Sequence, residues 1–269
     1  MPSPTSQIDH IIILVPYAYI TTPPAWITST FTLSPGGQHA DGKTENRLIL
    51  LADGSYIELI AFIDDDPARR AGHWWDKPYG IVDWALTNTE DEAPDVQGIN
   101  ERLERVGSKV RYQEPIRGGR TRPDGVQMDW RVTFPQGVRR GFVPFWCHDV
   151  TERERRVPSS MEEAVRHPCG AKGVAGVKVG VEKGRVRAVR DAVGAIVGDE
   201  QEGKVGLGAP RAVEGLREPW VLVEPATGEE GSEALKLELV LQVPSGQDAP
   251  RDMRQRVGEG EVAILFEKV

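Results

Sequence analysis

Two apolar runs dominate the N-terminal part of the chain. One reads Ile8-Asp9-His10-Ile11-Ile12-Ile13-Leu14-Val15, the other Ser55-Tyr56-Ile57-Glu58-Leu59-Ile60-Ala61-Phe62. Both are short, rich in β-branched or aromatic residues and bounded by turn residues, so they read as strands. Neither alternates cleanly between apolar and polar, which predicts a sheet covered on both faces. Between them, Pro23-Pro24 excludes a regular helix over residues 17–31 and leaves room for a short helical piece around Trp26. Residues 31–33 predict an edge strand ending at Pro35-Gly36-Gly37. Residues 45–51 predict another strand, and Ala52-Asp53-Gly54 turns the chain into the Glu58 run.

The pattern then repeats. Residues 80–87 read as a second opening strand, and residues 96–106 place Ile99, Leu103 and Val106 on one helix face, with Gly107 as the C-cap. Strands follow near residues 110–113, 126–134 and 142–147. A further opening strand, residues 174–181, precedes a helix face made by Val186, Val189, Val193, Ile196 and Val197, with Gly198 at its end. Later strands are expected at 220–223, 235–243 and 261–266. The expected fold is therefore α+β, with βαβββ modules repeated along the chain: paired modules over 8–150 and a divergent third over 151–269.

Composition narrows the function classes. Lys and Arg number 33 against 41 Asp and Glu, a net charge of −8. That argues against a broad nucleic-acid surface. No apolar stretch is long enough to span a membrane, and residues 1–7 lack the basic start of a signal peptide. Cys147 and Cys169 form no close metal-binding pair, so a reduced, cytoplasmic protein is expected.

Polar residues inside apolar strands carry the candidate chemistry. His10 and Glu58 are costly there unless solvated, hydrogen-bonded or bound to a metal. The segment from Gly36 to Asn46 is too glycine-rich for a helix and too polar for a core strand. It reads as an ordinary solvated hairpin or as a ligand-binding edge, with His39, Thr44 and Asn46 as hydrogen-bonding groups. Asp64-Asp65-Asp66 suits a solvated turn or a hard cation. Trp74 and Trp75 would cover a pocket mouth or pack on the second module. The alternating charges of residues 151–156 read as a surface crossing.

In combination, the Asp9-His10 strand, Gly36-Gly37 with His39, Thr44 with Asn46, and Tyr56-Ile57-Glu58-Leu59 resemble the glyoxalase-like domain family of the vicinal-oxygen-chelate superfamily. Arg120-Thr121-Arg122-Pro123-Asp124-Gly125, followed by Trp130, resembles a recurring segment of the same family. The resemblance implies curved mixed sheets around a pocket, commonly with a divalent metal (Zn, Mn, Fe, Mg or Ni). His10 and Glu58 match two of the usual ligand positions. The second module places Trp84 where His10 stands in the first, and its closing strand has no glutamate, leaving His148 as the remaining metal-ligand candidate. Glu58 and His39 are the candidate proton carriers. Asn46, Arg120 and Arg122 would contact substrate, the arginines through a carboxylate, phosphate or enolate-like oxygen. Trp84 and Trp146 suit contact with an apolar or aromatic ligand, or burial in the core. The implied activity is that of a small-molecule lyase or isomerase acting on a carbonyl-bearing metabolite. The alternatives are a metal-independent enzyme acting on an aromatic intermediate and a non-catalytic small-molecule binding or resistance protein. A small-molecule substrate is the expected partner, with a homodimer left open.

Overall fold

A computed structural model of the chain describes residues 6–88, 94–121, 125–199, 203–226, 235–246 and 248–269. The first module runs β1 (Ser6–Leu14), α1 (Tyr17–Thr21), α2 (Ala25–Thr28), β2 (Ser34–Gln38), β3 (Thr44–Leu50) and β4 (Tyr56–Phe62). A one-turn helix, α3 (Pro67–Arg70), leads into β5 (Gly80–Asn88), α4 (Val96–Arg105), β6 (Arg111–Tyr112), β7 (Ile116–Thr121), β8 (Gln127–Thr133), β9 (Pro135–Gln136) and β10 (Phe145–Asp149). The remainder comprises α5 (Arg153–Arg156), β11 (Gly173–Val181), α6 (Val186–Val197), β12 (Val205–Gly206), β13 (Trp220–Pro225), β14 (Lys236–Val243), β15 (Met253–Val257) and β16 (Gly260–Lys268).

Helix ends follow local chemistry. The Asp95 carboxylate accepts from the Gly98 amide at 2.9 Å and caps α4, and Gly198 ends α6 in the left-handed region at φ 84°. The edge strand forms at β2 rather than at residues 31–33. Pro35 is tolerated there because an edge strand need not donate every amide.

The two modules join edge to edge in one eight-stranded mixed sheet of order β2-β3-β4-β1-β5-β10-β8-β7. β1 is parallel to β4 and antiparallel to β5, and β5 is parallel to β10. An isolated bridge between His39 and Arg120 brings the two outer ends of this sheet together, so it curls around a concave face. Along β1, His10, Ile12 and Leu14 face inward, while Ile8, Ile11 and Ile13 face the outer core. Covering both faces explains why neither apolar run alternates.

That outer core is shared with a second sheet of six strands, order β12-β13-β11-β14-β16-β15. Residues 151–269 predict one divergent βαβββ unit, and the strands of this sheet pair in the order of the first. The parallel β13–β11, antiparallel β11–β14 and parallel β14–β16 contacts repeat those of β4-β1-β5-β10. β12 and β15 flank them as β3 and β8 do in the first sheet. Among the described residues, the tail thus holds two shortened modules, one with helix α6 and one without a helix. No helix among the described residues is long and apolar enough to cross a membrane.

Candidate active site

The concave face closes around a cavity of about 180 Å³. Alternation along the strands delivers its floor: His10 from β1, Tyr56 and Glu58 from β4, and Thr44, Asn46 and Leu48 from β3. The opposite wall comes from the second module: Arg120 on β7, Trp130 and Val132 on β8, Phe145 and Cys147 on β10. His73, Trp74 and Trp75, in the connector between the modules, complete the rim. Trp74 is 42% exposed and packs on Phe134 with ring centroids 5.2 Å apart.

Glu58 is the focus of the polar contacts. Its Oε2 stands 3.6 Å from His10 Nε2, and its Oε1 stands 3.4 Å from His39 Nε2. Asn46 Nδ2 donates to Glu58 Oε1 at 2.5 Å. The Asn46 orientation is set by its other end, because Oδ1 accepts from both the Gly37 amide at 3.0 Å and Arg120 Nη1 at 2.9 Å. Thr44 Oγ1 lies 2.8 Å from His39 Nδ1 and steadies that ring. Burial pushes the Glu58 carboxyl up, but the hydrogen bond and charge of His39, with the Asn46 hydrogen bond, lower it and the group stands at about 2. Glu58 is therefore ionised at neutral pH, an anion held between two imidazoles.

His10, His39, Asn46, Glu58 and Arg120 thus meet in one cavity. Arg122 lies outside the described residues. Trp84 and Trp146 do not face the cavity. Both are buried in the core between the two sheets, with Trp84 Nε1 donating to the Gly141 carbonyl at 3.1 Å. On β10 the inward parity belongs to Phe145 and Cys147, so Trp146 points the other way. Trp74, Trp75 and Trp130 are the tryptophans that line the cavity instead. His148 shares the parity of Trp146 and borders a separate cavity with Arg131, Asp149 and Arg153, so it does not join His10 and Glu58.

An ionic cluster that strand periodicity does not mark lies behind His10. Residues 151–156 do not simply cross the surface: Arg156 is buried, and it and Arg153 pair with Asp9 and Asp149. Their spacing of three residues, which puts both on one side of a helical turn, is the signal that was available. Asp65 of the aspartate run accepts from the Tyr17 amide at 2.9 Å, and Asp66 caps α3. Those two carboxylates hold the starts of α1 and α3.

A catalytic zinc-type site takes three protein ligands and leaves a position open. Among the described residues, Asp9, His10 and Cys147 are the group that brings ligand atoms within 4.8 Å of one another. These donors are ill suited to a cation. The Asp9 oxygens are occupied by Arg153, Arg156 and His10, and burial pushes the Cys147 thiol well up, keeping it neutral. Two guanidinium groups beside the cluster add repulsion. The His10–Glu58 separation could span one ion, but the second module answers with Phe145 and Cys147 rather than with a His–Glu pair.

A family model described as a glyoxalase-like domain matches residues 8–192. The chain belongs to the glyoxalase-like domain family. This places it in the vicinal-oxygen-chelate superfamily and accounts for the repeated modules. Among solved structures, a hypothetical protein from Staphylococcus aureus shares the fold at a TM-score of 0.64 and 14% identity, over 98% of this chain and 100% of its own. A xylose isomerase-like TIM barrel/4-hydroxyphenylpyruvate dioxygenase fusion protein is similar at a TM-score of 0.47 and 8% identity, over 90% of this chain and 37% of its own. Methylmalonyl-CoA epimerase from Mycobacterium tuberculosis matches 55% of this chain and 90% of its own at 17% identity and a TM-score of 0.31. No curated protein matches the sequence.

Proposed function

We propose that this member of the glyoxalase-like domain family is a small-molecule lyase or isomerase. It would move a proton beside a carbonyl group of a metabolite with an aromatic or apolar body, without a divalent metal. The observation that carries this reading is the ionised Glu58 on the floor of an aromatic-walled cavity, between His10 and His39. With His39 bonded to it, Glu58 is a weak base. A substrate oxygen that takes over the His39 N–H would remove the contact that most lowers the Glu58 carboxyl. Burial then raises it toward the range of a useful base. In the same motion His39 comes to stabilise negative charge on the substrate oxygen as the C–H proton passes to Glu58. Arg120 holds Asn46, and through it Glu58, in line.

The test begins with mass spectrometry of the compound that accompanies the gently purified protein, followed by turnover assays on it. Glu58→Gln should retain binding and lose about 10²- to 10⁴-fold in kcat. Unchanged turnover in that variant would remove Glu58 from the chemistry. Tight binding with no turnover by the unaltered protein would make it a binding or resistance protein. Calorimetric titration of chelator-treated protein with Zn²⁺, Mn²⁺ or Ni²⁺ should show no stoichiometric site. A one-to-one site lost in both His10→Gln and Glu58→Gln would restore the metal-assisted reading.

A further inference from the structure

Asp9 and His10 are consecutive on a strand, and regular alternation would send their side chains to opposite faces. A bulge prevents this. β1 steps from Ile8 opposite Leu86 to His10 opposite Ala85, so Asp9 is an extra residue without a partner on β5. Its Oδ2 consequently lies 2.6 Å from His10 Nδ1. Asp9 is fully buried and does not line the cavity. It accepts from Arg153 Nη1 at 2.6 Å and from Arg156 Nη2 and Nη1 at 3.0 and 3.2 Å.

The two arginines are themselves fixed. Arg156 also donates from Nε to Asp149 Oδ1 at 2.5 Å and from Nη1 to the Tyr56 hydroxyl at 2.6 Å, and Arg153 Nη2 reaches the Gly54 carbonyl at 2.7 Å. The buried Asp9 and the partly buried Asp149 thus meet two guanidinium groups, a balanced set in which every charge has a partner. The His10 ring is also stacked on Tyr56, centroids 4.6 Å apart and planes 14° apart, and meets the Phe145 ring at its edge. A ring held on these sides with one nitrogen bonded to Asp9 has its other nitrogen directed at Glu58.

We infer that Asp9 is a positioning residue: anchored by Arg153 and Arg156, it holds the His10 proton on Nδ1 and so presents Nε2 to Glu58 as a proton acceptor. The inference rests on the proton-transfer reading above and adds a second station to it. In the first step the substrate C–H bond breaks and its proton goes to Glu58; its electron pair forms a C=C bond to the carbonyl carbon, and the C=O π pair moves onto the oxygen. In the second, Glu58 passes that proton to His10 Nε2. The imidazolium so formed is stabilised by the Asp9 carboxylate, and Glu58 returns to its ionised state. The proton can then be returned at another atom of the substrate, as an isomerisation requires.

The decisive measurement is the His10 tautomer, read by long-range ¹H–¹⁵N NMR on protein labelled at histidine, with the signal assigned by its loss in His10→Gln. The unaltered protein should carry a proton on Nδ1, and this measurement needs no folded Asp9 variant. A His10 whose Nδ1 lacks its proton, or whose Nε2 carries one, overturns the inference. In Asp9→Asn the arginines should claim the amide oxygen and turn the amide NH₂ toward His10, moving the ring proton to Nε2. An unchanged His10 signal in folded Asp9→Asn overturns it equally. On a turned-over ligand, Asp9→Asn should lower kcat by between about 10²- and 10⁴-fold with KM unchanged, whereas a purely structural role would show in stability alone. The tautomer is read without substrate, so failure of the proton-transfer reading stays distinguishable from failure of this one.

Discussion

Glu58 and His73 tie the chemistry of the cavity to the acid stability of the fold. The folded state holds Glu58 at about 2, below the ordinary value of 4.5, so it binds fewer protons than the unfolded chain between those values. The resulting stabilisation is fully present above about pH 4.5 and is lost as pH falls toward 2, a contribution on the order of 3 kcal/mol. His73 works in the same direction at higher pH. Burial holds its imidazole at about 4 against an ordinary 6.5, so the folded state resists its protonation and loses stability as pH falls through that window. Urea denaturation across pH 7 to 3 should therefore show stability declining below about pH 6.5, through His73 first and through Glu58 below 4.5. Glu58→Gln should flatten the lower part of the curve, and an unaltered slope there would mean that the carboxylate is not held low.

At the scale of elements, the site depends on how closely two outer strands approach. A Cβ at Gly36 would lie 1.9 Å from the Asn46 carbonyl oxygen and 2.3 Å from its Oδ1, so only glycine lets β2 lie against β3 here. That approach brings the Gly37 amide to Asn46, and Asn46 in turn to Glu58. Across the cavity, a Cβ at Gly118 would meet Trp130 Nε1 at 2.4 Å, so the bare backbone of β7 makes room for the indole that forms the wall. Gly36→Ala should destabilise the protein by about 1–3 kcal/mol, the usual cost of forcing an extra methyl into close packing. It should also weaken binding of the recovered ligand. Denaturant titration together with ligand titration checks both, and an alanine variant equal to the parent in each would show that the strands can part freely.

The whole molecule is organised by the core between its two sheets. Trp84, Leu86 and Trp146 of the first sheet share that core with Val177, Val179, Leu239 and Leu241 of the second, and Arg102 on α4 donates to the Ala195 carbonyl on α6 at 2.7 Å. The family match, by contrast, stops at residue 192, inside α6. Removing residues 173–269 would uncover the outer face of β1, β4, β5 and β10 to water. Burial of each large apolar side chain is worth roughly 1.5–3 kcal/mol, so a core of this size cannot be given up piecemeal. Residues 6–172 alone should aggregate or remain unfolded. The full chain should unfold in one transition with coincident tryptophan fluorescence and far-UV circular dichroism. Two separated transitions would show that the sheets are independent.

The sequence by itself determines the strands of the first module, because β-branched runs bounded by turns have few other solutions. It also determines which residues share a face: His10 with Ile12 and Leu14, and Glu58 with Tyr56, Ile60 and Phe62, since strand periodicity is local geometry. His10 and Glu58 interrupt these runs and meet in the cavity, while His39 and Asn46, outside both runs, join them through the pairing of β2, β3 and β4. Tertiary structure alone decides what such interruptions do not reach. Around Trp84 and Trp146 both faces of the strand are apolar, so nothing local says which parity points inward, and a shift of one residue exchanges the faces. The bulge at Asp9 depends on pairing with β5, and the ion pairs of Arg153 and Arg156 depend on carboxylates more than a hundred residues away in the chain or on a neighbouring strand. The division of the tail into two shortened modules is likewise a matter of which strands pair, and apolar runs record the strands but not their partners.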